Sequence, residues 1–257
     1  MKITILGSGS AYGVPMIFNT WNNADKYDTL NPRTRASIFL EDNGHSILID
    51  AGPDFRNQIN ANNITNIDAV FITHGHYDHI SSIPELPRAS KILGHPIEIY
   101  ATKETMEELK RCYSYLFKSH ADAEPNSQNL IWKLLPNHGI FNFRELEIST
   151  ILFPHHKIHS SAFRYKNFAY VTDWQALPDN CEEFLSGLDL LIIECNNGTE
   201  NEINGHSNID DINRLISKYE PKRVILTHIS TRIESRKLAE FMQPNCSLSY
   251  DGMVIEL

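Results

Sequence analysis

The segment Phe71-Ile72-Thr73-His74-Gly75-His76-Tyr77-Asp78-His79 constrains this chain more than any other. Three histidines and an aspartate fall within six positions, directly after the apolar run Ala69-Val70-Phe71-Ile72. A short apolar run of this kind reads as a strand buried on both faces, so the cluster occupies the turn that leaves it. Imidazole nitrogens with a carboxylate suit zinc, manganese or iron, whereas calcium prefers an all-oxygen shell. The bland alternative is four polar residues on a solvated loop, and the matched residue types and spacing argue against it. His74, His76, Asp78 and His79 do not complete a site for two ions. Further ligands therefore have to come from elsewhere in the chain.

The bulk properties narrow the classes of protein to consider. At 257 residues the chain suits one large domain or two small ones. A formal net charge of -9 argues against a generally basic nucleic-acid-binding surface. No apolar run approaches the roughly 18 residues a membrane helix needs. The opening "MKITILGSGS" reads as a strand and a turn, without a signal peptide's apolar segment. Cys112, Cys181, Cys195 and Cys246 are scattered and form no CxxC pair. They read as reduced thiols, and the expected location is the cytoplasm.

Strands are expected at Ile3–Leu6, Ala36–Glu41, Ser46–Asp50 and Ala69–Thr73, with a short helix after Pro53. "TKETMEELKRCYSYLFK" predicts a helix capped by Thr102, and "SHADAEPNSQN" a polar surface excursion. Phe168–Thr172, Leu188–Glu194 and Arg223–Thr227 are apolar runs that each stop at a polar residue. Between two of them, "SNIDDINRLISKYE" places Ile209, Ile212, Leu215 and Ile216 on one helical face, capped by Ser207 or Asn208. Strands alternating with helices imply an α/β chain with helices packed on sheets. With no flexible linker and no tandem repeat, residues 1–257 read as one domain built in two halves.

Three further metal-competent residues share one context. His155 follows Ile151–Phe153, Asp173 follows Ala169–Val171, and His228 follows Val224–Leu226. Singly, each reads as a hydrogen-bonded histidine or a capping aspartate. Together they mark strand ends, where a sheet presents side chains to a common rim.

HxHxDH followed by a histidine, an aspartate and a histidine at strand ends resembles the metallo-β-lactamase superfamily. That resemblance implies a four-layer αββα sandwich with a dinuclear metal site. It also implies that His74, His76 and His155 hold one ion, that Asp78, His79 and His228 hold the second, and that Asp173 bridges them. Asp50, closing "SILIDAG", matches the superfamily's first motif, a buried carboxylate that supports the metal-binding loop. "LGSGSAYGVP" carries glycines spaced GxGxxxG with Pro15 following, which does not meet the dinucleotide fingerprint. With the metal motifs and the ending "VILTHIS…YDGMVIEL", it resembles instead the PhnP-type phosphodiesterases acting on phosphoribosyl cyclic phosphates. Cofactors of two divalent ions, manganese or zinc and also iron, follow from that likeness. So do a small-molecule phosphodiester substrate and a homodimer. His206, in "NGHSNID", matches the family's histidine near the leaving group, although a Gly-His-Ser turn before a helix also serves as a plain cap. His156 and Lys157 stand beside a ligand and are candidates for touching a phosphate. His45, His95, His120, His138 and His159 match no motif and read as surface or structural residues. Some PhnP-type proteins carry a cysteine-rich zinc site after the "GVP" turn. Here that region, "MIFNTWNNADKYDTLNP", has no cysteine, and its Trp21 and Tyr27 are candidates for shaping a different pocket.

In such a site two cations about 3.5–4 Å apart lower the pKa of a shared water towards about 7 and neutralise charge on the phosphoryl oxygens. His206, protonated, supplies the departing oxygen with a proton. Asp78 and Asp173 belong to the same reacting centre. A tRNase Z-type RNA 3′-end endonuclease shares "GHSN" and "LTHIS", but the acidic chain lacks the cationic surface an RNA substrate requires. A thioester or lactone hydrolase, and a non-catalytic metal-binding accessory protein, are the remaining alternatives.

Overall fold

The computed structural model of the chain describes residues 1–117, 129–200 and 205–257, without the side chains of 235 and 236. The polar excursion expected from Ser119, with His120, lies outside the described residues apart from its last member, Asn129. The described residues form two compact units, each built on a seven-stranded mixed sheet.

The first unit comprises residues 1–7, 35–135 and 252–257. Its strands are β1 (Lys2–Gly7), β2 (Ser37–Asp42), β3 (His45–Ile49), β4 (Ala69–Phe71), β5 (Ile97–Ala101), β6 (Leu130–Leu134) and, from the end of the chain, β14 (Met253–Glu256). They lie in the order β14-β1-β2-β3-β4-β5-β6. Pairing is antiparallel from β14 to β3 and parallel from β3 to β6. Strand β4 has parallel neighbours on both sides, and its Ala69, Val70 and Phe71 are fully buried. This is the doubly buried strand that the apolar run predicts. Its helices are α1 (Phe55–Ala61), α2 (Tyr77–Ile80), α3 (Leu86–Leu93) and α4 (Lys103–Cys112). Thr102 caps α4 as expected, its hydroxyl accepting from the Thr105 N–H at 3.3 Å. The helix stops at Cys112, short of the predicted end, and Ser114–Phe117 tightens into a 3₁₀ turn. Aromatic residues at 113, 115 and 117 are weak helix formers, and Phe117 is drawn onto Trp132 with ring centroids 3.9 Å apart.

The second unit comprises residues 8–34 and 136–251. Its strands are β7 (His138–Phe143), β8 (Leu146–His155), β9 (Ile158–Tyr165), β10 (Phe168–Val171), β11 (Leu190–Glu194), β12 (Arg223–Thr227) and β13 (Cys246–Leu248). Pairing is antiparallel from β7 to β10 and parallel from β10 to β13. Helices α5 (Glu182–Leu185), α6 (Ile209–Tyr219) and α7 (Ser235–Ala239) complete it. Helix α6 begins in a capping box between Asn208 and Asp211, so Asn208 is the cap. Ser207 instead donates its hydroxyl to the Glu194 carbonyl at 2.8 Å. Ile209, Ile212, Leu215 and Ile216 are buried on one face of α6, each contributing about 1.5–3 kcal/mol.

The parallel strands decide where chemistry is placed. In open sheets of this kind, functional groups gather outside the carboxyl ends of the strands. Strand β4 runs into the turn holding His74, β10 into Asp173, β11 ends on Glu194, and β12 runs into His228. No helix among the described residues is long and apolar enough to cross a membrane.

Candidate metal centre

In the first unit the metal-competent turn is built around Asp50. This carboxylate is fully buried at the end of β3. One oxygen accepts from the Thr73 N–H at 2.8 Å; the other accepts from the Thr73 hydroxyl at 2.8 Å and from His79 Nδ1–H at 2.7 Å. Burial pushes the Asp50 carboxyl up from its usual value, while His79 and Thr73 pull it down. Because Nδ1 of His79 donates to Asp50, Nε2 is left to act as a ligand, and it lies 3.0 Å from Asp78 Oδ2. On the same turn His74 Nε2 and His76 Nδ1 are 3.0 Å apart. Gly52 makes this packing possible: a Cβ there would lie 1.9 Å from the Asp78 carbonyl oxygen.

In the second unit the candidates surround Asp173, which is 2% exposed. Its Oδ1 lies 3.4 Å from His228 Nε2 and 3.7 Å from His155 Nε2 and from His206 Nδ1. His155 is held in one tautomer, its Nδ1–H donating to the Gly205 carbonyl at 2.6 Å. Gly205 serves a second purpose. It has φ +88°, and a Cβ there would lie 2.4 Å from the His156 ring. Burial and the neighbouring His206 hold the His156 imidazole below its ordinary value. Lys157 lies on the same exposed two-residue turn between β8 and β9.

Asp50, Asp173 and His228 also share a left-handed backbone, with φ of 66°, 52° and 57°. Aspartate and histidine tolerate this conformation better than most residues, but it still costs energy, and such residues gather at functional sites. Here the turn directs each side chain off the end of its strand.

The donor sets fit divalent ions. Two ligand atoms on one tetrahedral ion with bonds of about 2.0–2.1 Å stand roughly 3.3–3.4 Å apart. The imidazole and carboxylate atoms above are separated by 3.0–3.7 Å, a spacing that one ion bridges. Fixing a histidine tautomer through a carboxylate or a backbone carbonyl is the usual arrangement behind metal-binding imidazoles.

One residue of this cluster is not legible from the sequence motifs. Glu194 is fully buried at the end of β11, and its Oε1 lies 3.3 Å from His206 Nδ1. The Asn196 N–H donates to Oε1 at 2.7 Å and the Ser207 hydroxyl to Oε2 at 3.2 Å. The only signal in the sequence is a charged residue closing an apolar run. A fully buried carboxylate is thus fixed by backbone and hydroxyl donors with one oxygen facing the His206 imidazole.

Fold and donor set together define a metal-binding α/β protein, and comparison with known proteins gives its family. Residues 45–229 match the family model described as the β-lactamase superfamily domain, and the chain belongs to that family. Its two mixed sheets with flanking helices have the α/β metallo-β-lactamase sandwich fold. The solved structure of a new diphosphatase from the PhnP family superimposes with a TM-score of 0.88 at 27% identity, covering 99% of this chain and 97% of that one. The chain is thus PhnP-like. An octanoyltransferase of Porphyromonas gingivalis is 26% identical over 98% of the chain, and the chain spans about half (51%) of that protein's length. A ribonuclease Z of Clostridium tetani is 24% identical over the whole chain and 98% of its own length. The family and neighbours such as this diphosphatase and ribonuclease Z are metal-dependent hydrolases, and family members typically bind divalent metals.

Proposed function

We propose that the chain is a phosphodiesterase that uses two divalent ions, manganese or zinc and also iron, to cleave a small diester such as a cyclic ribose phosphate. The observation that carries this reading is the cluster of buried Asp173, His155 and His228 with the half-buried His206, in which the Gly205 carbonyl fixes the His155 tautomer and Glu194 faces His206. In this reading His74, His76, Asp78, His79, His155, Asp173 and His228 would hold the two ions. When bound, the ions supply Lewis-acid charge and activate water. The side chains do the rest. Asp50 keeps His79 in its ligating tautomer, and Gly205 does the same for His155. His206 delivers a proton to the departing oxygen, an effect typically worth about 10²–10⁴ in rate. Glu194 holds that imidazole in place. Residues 1–257 act as one domain, because the chain passes between its two units four times.

The test is hydrolysis of bis-p-nitrophenyl phosphate by metal-stripped protein after adding Mn²⁺ or Zn²⁺, beside Asp78→Ala and His206→Ala. Metal-dependent turnover, abolished by the first change and strongly reduced by the second, supports the reading. Two bound ions without turnover shift it to another ester class or to a non-catalytic metal protein. The ribonuclease Z likeness favours a second reading, an RNA endonuclease, against which stands the net charge of -9. Cleavage of a structured RNA in preference to small diesters would decide for it.

A further inference from the structure

His228 follows β12 with φ +57°, a backbone conformation that a histidine keeps only where its surroundings impose it. Both sides of the residue are pinned. Two residues before it, the Leu226 carbonyl accepts from the Ser249 N–H at 2.9 Å and from the Ser249 hydroxyl at 2.6 Å. Directly after it, the Ile229 N–H donates to the Ser8 carbonyl at 2.8 Å, and the Ile229 carbonyl accepts from the Ser10 N–H at 3.0 Å. Ser8 and Ser10 come from "LGSGSAYGVP", the motif whose glycine spacing fits no dinucleotide loop.

A pair of charges joins the two pins. The buried Arg33 donates through Nη1 to the Ser8 hydroxyl at 2.8 Å and to the Ser249 carbonyl. The half-buried Asp251 grips Ser8 as well, its Oδ1 accepting from the Ser8 N–H at 2.9 Å and the Ser8 hydroxyl at 2.7 Å. Its Oδ2 accepts from the N–H and the hydroxyl of Thr34, both at 2.6 Å. Gly9 lets these segments close, because a Cβ there would lie 2.9 Å from both the Arg33 Cβ and the Thr34 carbonyl oxygen.

Holding both ions here has a cost. Burial lowers the Arg33 guanidinium to about 10, against the pull of Asp251 and Asp28. Burial raises the Asp251 carboxyl, against the bonds from Thr34 and Ser8. Charges withdrawn from water in this way have to be offset by well-aimed hydrogen bonds, and removing one partner leaves the other uncompensated. What the arrangement gains is a fixed turn at His228.

We propose that Arg33 and Asp251 are positioning residues for His228, acting through Ser8 and Ser249 to hold its left-handed turn. The proposal rests on the reading of His228 as a metal ligand for its effect on ions, and its effect on the turn stands without any ion. Wild type is compared with Arg33→Met, Asp251→Asn and Ser8→Ala, the last removing only the hydroxyl that both charges share. Leu215→Ala, a cavity in the core face of α6, serves as a control for general loss of stability. In metal-free protein, amide exchange at Ile229 and Ser10 should quicken about tenfold relative to the amides of β11, the effect of losing one charge-assisted hydrogen bond. The ring signal of His228, assigned with His228→Gln, should move with it. In Co²⁺-loaded protein, affinity for one of the ions should fall about 10–100-fold and the visible spectrum should change. If the two charge variants do not fold, Ser8→Ala carries the test with the same signs.

Local exchange, ring signal and ion affinity that change in the clamp variants but not in Leu215→Ala support the proposal. Wild type that binds no Co²⁺ removes the metal reading alone, and exchange with the ring signal then decides. Folded variants with wild-type exchange at Ile229 and Ser10, an unmoved His228 signal, unchanged affinity in a wild type that does bind Co²⁺, or the same changes in Leu215→Ala would overturn it.

Discussion

Replacing Asp50 by asparagine changes one atom and should weaken metal binding without touching a ligand. In the wild type one Asp50 oxygen accepts from both the Thr73 hydroxyl and His79 Nδ1–H, at 2.8 and 2.7 Å. An amide nitrogen at that position presents hydrogens to both. The threonine hydroxyl can rotate to accept, but Nδ1 can accept only by giving up its proton. The proton then moves to Nε2, the nitrogen that faces Asp78 at 3.0 Å and would bind the ion. Loss of such an orienting partner typically costs 10–100-fold in metal affinity, or about 1.4–2.7 kcal/mol. Fold stability falls as well, by about 1.5–3 kcal/mol for the charge-assisted bond lost in a fully buried site. Competition for Zn²⁺ between the protein and a chromophoric chelator, with thermal melts alongside, measures both effects. Wild-type affinity in a folded Asp50→Asn protein would refute the tautomer argument.

Glu194→Gln should reduce turnover of a diester with an alkoxide leaving group at least tenfold more than that of one with p-nitrophenolate, because only the poor leaving group needs the proton carried by His206. Steady-state rates with the two substrates check this, and equal losses would assign Glu194 a purely structural part. Thiol labelling gives an independent reading of burial. Cys181 and Cys195 are buried, and burial pushes the Cys246 thiol up to about 12. One thiol per native chain, the exposed Cys112, should react with a disulfide reagent near pH 8, and four should react after denaturation. Burial and its hydrogen bond to Glu108 also raise the Cys112 thiol. The thiolate is the reactive form, so the rate at Cys112 should climb as pH rises above neutrality. Loss of one peptide's label in Cys112→Ser identifies the site.

What the sequence discloses depends on how local each signal is. The turn of His74, His76, Asp78 and His79 is written in consecutive residues after a run that has to be buried, and β4 carries it as expected. The Thr102 cap and the apolar face of α6 are equally local. Strand β9 is not legible. Ser160 and Ser161 are both fully buried within it, which erases the polar–apolar alternation, and the Ser160 hydroxyl donates to the distant Thr172 carbonyl at 2.8 Å. Glu194 was hidden for a similar reason. Its partners at Trp174, Asn196 and Ser207 are brought together by the sheet and by the start of α6, not by spacing along the chain. The role of Gly205 depends on the His156 ring that packs against it across nearly fifty residues. The α4 segment shows the opposite case, in which local helix propensity extends past the point where Phe117 finds Trp132.

We propose that this chain holds two divalent ions through the seven residues His74, His76, Asp78, His79, His155, Asp173 and His228. Elemental analysis of stripped protein reloaded with Zn²⁺ or Mn²⁺ and desalted tests it most directly, with Asp173→Ala measured in parallel. Two ions per wild-type chain and fewer than two in the variant are expected. Wild-type protein that retains no ion, or a variant that retains both, would contradict it.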